Sequence, residues 1–169
     1  MTSDSCSEEN GWKAIWKICA PGKMKTTLWH FAYDCLPSGR QLQHRHVPAS
    51  LTCIHCSEED VQHALLLCPF ARDVWEEVKK TYQFKLNRKG FKSPKLWLFD
   101  FMSKCSSQAA TALAVTVWHL WDVRNKVREG GPVNPSSVAL RIKAYIDMIL
   151  THLAKQATSP RHEDYSVVP

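Results

Sequence analysis

The residues from Cys53 to Trp75, C-I-H-C-S-E-E-D-V-Q-H-A-L-L-L-C-P-F-A-R-D-V-W, constrain this chain more than any other stretch. Cys53 and Cys56 stand as C-x2-C, and His63 and Cys68 follow as H-x4-C. Three thiolates and one imidazole complete the tetrahedral shell of a structural zinc, which keeps no open position. The short gap between the first two cysteines lets one tight turn aim both sulfurs at a single point. The second pair is expected on a short helix, with Asp60 as its cap and Val61 to Leu67 as its apolar run. Pro69 disfavours helix at Cys68, so the chain bends there and turns that sulfur back to the metal. His55, between two inward-pointing cysteines, should point away, and it is left out of the ligand set.

Seven cysteines, three of them in this ligand set, leave Cys6, Cys19, Cys35 and Cys105. Those four read as small buried apolar residues rather than a disulfide framework, which points to a reducing compartment, nuclear or cytoplasmic. The opening M-T-S-D-S-C-S-E-E-N carries three acids and no base. It resembles neither a secretory signal nor a transit peptide and is expected to be a disordered lead-in over residues 1–10. No apolar run approaches the ~18 residues of a membrane span.

Helical periodicity accounts for nearly everything else. Trp12, Ile15, Trp16 and Cys19 fall at helical spacing before Pro21-Gly22. Met24, Leu28, Phe31, Ala32 and Cys35 make an apolar stripe that Pro37 closes. Ser38 with Gln41 forms a capping box for a short helix from Gly39 to about His46. Phe70, Val74, Val78 and Tyr82 repeat every four residues after Pro69. Leu96 to Met102 form a short apolar element, and Ser107 to about Arg128 a long helix. Asn134 and Pro135 then start a last helix carrying Val138, Ile142, Ile146 and Ile149. With no alternating run and no internal repeat, the expected fold is all-α: a zinc-binding helical domain over 11–82, a basic loop over 83–95, a helical extension over 96–158 and a disordered tail over 159–169. The last two helices are expected to form a hairpin packed on the zinc part, or to offer their stripes to a partner.

On its Cys/His motif the chain resembles the zinc-binding domain on the C-terminal side of reverse transcriptase in plant LINE-type retrotransposons. W-K-A-I-W-K-I-C-A-P-G-K-M-K-T-T-L-W-H-F-A-Y-D-C-L-P-S upstream is similar to that family's Trp-rich opening helices. W-H-L-W-D-V-R-N at 118–125 resembles the helix that links this domain to a ribonuclease H domain. The resemblance covers about Gly11 to Trp75 and includes neither a polymerase nor a ribonuclease H part. It implies one structural zinc in a chain that handles nucleic acid.

Catalysis finds little support in these residues. Cys35 with His30 and Cys105 with His119 are the pairs a nucleophile reading would need, and neither comes with a third, orienting group. No phosphate-binding Gly-rich loop is present, and a metal with a full protein shell does not activate water. The chain therefore reads as a non-enzyme. Binding is better supported. Lys79, Lys80, Lys85, Arg88, Lys89, Lys92 and Lys95 form a run of seven bases without an acid, interleaved with Tyr82, Phe84 and Phe91. Cations that hold phosphates and rings that stack on bases are the composition of an RNA or single-strand surface, with Phe91 as the stacking candidate. The net charge of +6 favours a polyanion. The alternative is a protein-interaction adaptor derived from a retrotransposon, its zinc purely structural and its contact on the C-terminal helices; a remnant with no selected role is the third reading.

Overall fold

From Ala109 to Val117 every residue is buried, and a helix buried all round needs neighbours on every side. That segment belongs to α6 (Ser107–Arg128). In the computed structural model, which describes residues 3–53, 55–56, 60–88, 90–128 and 133–158, α6 is surrounded by three other helices. They are α2 (Gly22–Ala32), α4 (Pro69–Tyr82) and α7 (Pro135–Thr158). A π-helical turn, His63–Leu67, also packs on it. Ala109, Ala110, Ala112 and Ala114 keep its surface low, so neighbouring backbones can approach. Its two buried hydroxyls are satisfied: Thr116 Oγ1 donates to Ala112 O at 2.7 Å, and Thr111 Oγ1 bonds Ser107 O and Cys19 O.

α1 (Ser3–Lys17) and α5 (Pro94–Lys104) pack on each other and on α2, and α3 (Gly39–His44) is a short surface helix. The described elements are all helical, as the periodicity requires, and there is no strand among the described residues. Local signals set several boundaries. Ser38 Oγ accepts from Gln41 N, Ser93 Oγ from Leu96 N, Ser106 Oγ from Ala109 N and Asn134 Oδ1 from Ser136 N. Pro94 and Pro135 stand at the first positions of α5 and α7. The box at α3 closes differently from the usual form, because the Gln41 side-chain amide reaches back to Asp34 O.

The N-terminus departs from the expectation of a disordered lead-in over residues 1–10, since α1 begins at Ser3. Long-range contacts make the difference. Lys95 Nζ bonds Glu8 Oε1 at 2.9 Å across 87 residues, Lys13 pairs with Glu9 within the helix, and Gly11 lies directly against the Phe99 ring. Residues 159–169, expected to be a disordered tail, lie outside the described residues. α6 and α7 do pack together, and His119 and Tyr145 meet ring to edge at 5.5 Å between them. A single buried cluster runs from Ile15 and Phe31 through Leu65 and Trp75 to Leu113 and Ile146, so the metal-bearing segment and the C-terminal helices share one core.

Candidate metal centre and basic surface

Cys53 and Cys56 come from a turn in which Cys56 N bonds Cys53 O at 3.3 Å. The other two donors come from the π-helical turn and the bend behind it. Asp60 caps that turn, its Oδ1 accepting from His63 N at 2.6 Å and its carbonyl from Ala64 N. At 3.6 residues per turn, side chains five apart would point about 140° away from each other. Here Cys68 N instead bonds His63 O at 2.8 Å, an i→i+5 bond. The widened turn brings His63 and Cys68 round toward one side. Trp75 Nε1 donates to Leu65 O at 2.8 Å and fastens the turn to α4.

The result is a cluster in which Cys53 and Cys68 are buried and Cys56 and His63 half-buried. Cys53 Sγ and Cys68 Sγ are 3.7 Å apart, Cys56 Sγ and Cys68 Sγ 4.0 Å, and Cys56 Sγ and His63 Nε2 2.9 Å. All four donor atoms lie within 4.8 Å of one another. A tetrahedron with Zn–S bonds of about 2.3 Å has sulfur–sulfur edges of about 3.8 Å, and sulfur–imidazole edges of about 3.5 Å. The two sulfur–sulfur edges that meet at Cys68 already match it, and the imidazole needs to draw back from Cys56 by only about half an ångström. Burial pushes the Cys68 thiol up to about 12, against the backbone N–H groups of Phe70 and Ala71 at the start of α4. A thiolate at so dry a position calls for a cation beside it, and a coordinated thiol gives up its proton. Donor chemistry, spacing and burial thus fit one structural zinc. His55 is outside the cluster, its ring stacked on Phe70 at 4.3 Å. Glu58 and Glu59 lie outside the described residues.

The basic stretch is more self-contained than its composition suggests. Lys79 pairs with Glu76 at 2.9 Å, Lys80 with Glu77 at 3.4 Å, Lys95 with Glu8 at 2.9 Å, and Arg88 shares Glu76 with Lys79. Those partners were not legible in the run itself because they lie on α1 and on the earlier turns of α4. Lys79 and Arg88 together hold the Glu76 carboxyl below the usual range. Lys85 and Lys92 are exposed, with no carboxylate within 4 Å among the described residues, while Lys89 lies outside them. Phe91 is partly buried against the core. Tyr82 and Phe84 are turned inward: the Tyr82 hydroxyl is shared between Asp147 Oδ1 and Lys143 O, and Phe84 meets Trp75 and Phe101 edge-on.

Neither Cys/His pair forms a nucleophile–base contact. The Cys35 thiol donates to the His30 carbonyl, and Cys105 to Met102 O, with burial pushing the Cys105 thiol up. His119 Nδ1 lies 2.8 Å from Val115 O, and burial lowers its pKa.

Residues 1–75 match the family described as zinc-binding in reverse transcriptase, as the Cys/His motif and Trp-rich helices lead one to expect. The chain is 30% identical over 118 residues to an Arabidopsis thaliana protein named as a putative ribonuclease H protein, a match covering 65% of this chain and 18% of that protein. The chain therefore spans under a fifth of the length of this relative. No solved structure gives a significant match. The zinc-binding domain of reverse transcriptases is a metal-binding module and not itself catalytic.

Proposed function

We propose that this chain is a non-catalytic, zinc-scaffolded helical module that binds RNA or a single nucleic-acid strand. The observation that supports it is the residual positive charge on the segment from Lys79 to Lys95. Six described cations there face three carboxylates, from Glu8, Glu76 and Glu77. Lys85 and Lys92 stand exposed among them, free to hold phosphates. Lys80 can exchange its carboxylate for a phosphate at the surface, since exposed ion pairs are worth only ~0–1 kcal/mol, whereas Lys79, Arg88 and Lys95 sit in half-buried pairs. Lys89 extends the same run in sequence. Phe91 supplies the ring at its edge.

Titration of the protein with single-stranded RNA over a range of salt concentrations tests this reading. Log affinity falls with log salt by about 0.7 per phosphate contact on a single strand. Replacing Lys85 and Lys92 together by Ala is expected to flatten that slope by about 1.4. Phe91→Ala is expected to weaken binding at every salt concentration with little change of slope, because stacking releases few ions. Equal slopes for the parent and the lysine variant would remove this surface from the reading.

One observation favours the protein-adaptor alternative. Leu140 and Met148 on α7 are 64% and 56% exposed, and Ala144 between them lies on the same row and is exposed too. That is an apolar row on a helix whose opposite face is already in the core. Saturable capture of a protein through α7 that survives nuclease and is lost in Leu140→Glu would replace the nucleic-acid reading with this one.

A further inference from the structure

We infer that the outer face of α3 and the turn after it, carrying Arg40, His44, Arg45 and His46, is a second phosphate-contacting surface for single-stranded nucleic acid. The inference rests on the nucleic-acid reading above and adds a site to it. From Cys35 to Ser57 the sequence contains no acid, and these four bases fall within seven residues of it. All four are exposed, and among the described residues none has a carboxylate within 4 Å. The contrast with Lys79–Lys95 is physical: there Glu8, Glu76 and Glu77 neutralise much of the charge, whereas here it faces solvent. Asp34 senses the Arg40 charge without pairing to it, its carboxyl being pushed up by burial and by Asp60 against the pull of Arg40.

The surface is also held in shape. Arg45 N, His46 N and Val47 N bond back to carbonyls of α3 at 2.9–3.2 Å. That fixes the left-handed backbone of His46 (φ 59°), which is uncommon for a non-glycine residue. Gln43 Nε2 donates to Ala49 O at 2.8 Å and ties the following loop to α3, four residues before Cys53. The metal centre thus anchors the far end of the loop that carries this patch. Guanidinium forks are suited to bidentate phosphate contacts, and ring N–H groups add single ones. A rigid presentation reduces the ordering cost of binding.

The test uses the full zinc-loaded chain and a fluorescein-labelled oligouridine, with anisotropy measured at several potassium chloride concentrations. Arg40→Gln/Arg45→Gln is expected to flatten the salt slope by about 1.4, and each single change by about 0.7. Arg40→Lys/Arg45→Lys is expected to keep the parent slope. Zinc content and helicity, measured on every variant, identify any that has lost its fold, and either single variant alone then suffices for the comparison. A parent slope retained in the Gln variants, while Lys85→Gln/Lys92→Gln flattens it, overturns the α3 surface and leaves the nucleic-acid reading intact. A parent that binds no oligouridine at any salt concentration overturns that reading, and the α3 surface with it.

Discussion

Gly11 sits where α1 meets α5, and a Cβ placed there would lie 2.8 Å from the ring of Phe99. That ring is itself held edge-on by Trp12 at 4.9 Å, so it has little room to yield. Gly11→Ala gains up to about 1 kcal/mol of helix propensity but incurs an overpacking cost of roughly 1–3 kcal/mol. A net loss of stability is expected, read as a lower denaturation midpoint. Gly22 opens α2, and a methyl group there would meet nothing within 4 Å. Gly22→Ala should therefore raise stability by about 0.4–1 kcal/mol, read as a higher midpoint. The metal ligands make a sharper case. Cys56→Ser or His63→Ala leaves three donors around a site built for four, and elemental analysis should fall from one zinc per chain to well below it. At this scale the sequence was most legible. Ligands and caps act within a few residues of one another, so Asp60, Ser38 and Asn134 announce themselves. The partner of Lys95, Glu8, lies 87 residues away and does not.

The π-helical turn is the element on which the metal centre depends, and it was the least legible. H-x4-C on an ordinary helix would splay the two ligands. The chain resolves this by inserting an i→i+5 bond, and nothing in H-A-L-L-L-C specifies that choice by itself. The choice is made by packing: Leu65 and Leu66 are fully buried, and Trp75 reaches from α4 to the Leu65 carbonyl. Trp75→Phe keeps a ring in the same space and removes only the N–H donor. A buried carbonyl left without its partner costs about 1–3 kcal/mol, which corresponds to roughly 5- to 150-fold in an equilibrium constant. Zinc affinity, measured by competition with a chromophoric chelator, is expected to fall within that range while helicity at saturating zinc stays at the parent level. Unchanged affinity would show that the turn holds itself open without the indole. The same logic applies to the aromatics of the basic run. Its aromatics were needed inside, with Phe84 between Trp75 and Phe101, so the segment serves the core as well as the surface.

In isolated zinc fingers the metal contributes about 10–16 kcal/mol and the apo peptide is unfolded. This molecule is built on another balance. Its buried cluster extends over α1, α2 and α4 to α7, and much of it lies along α6 and α7. The Tyr82 hydroxyl, on Asp147 at 2.7 Å, links α4 to α7 without using the metal-binding turn. The centre touches that core through the π-helical turn, which packs on α4 and α6. Residues 47–60 have no regular helix among their described positions, so the metal is the main constraint on them. Removing zinc should therefore unfold the molecule in part. Hydrogen exchange after chelation is expected to lose protection over about residues 50–75. Amides in the middle of α6 and in the first half of α7 should keep most of theirs, because local opening follows the density of buried contacts. Restoring zinc should return the protected pattern without a refolding lag in α6. Uniform loss of protection along the whole chain would instead mean that the shared core is too weak to stand without its metal, and that this fold is a zinc finger enlarged rather than a helical domain with a zinc-fixed edge.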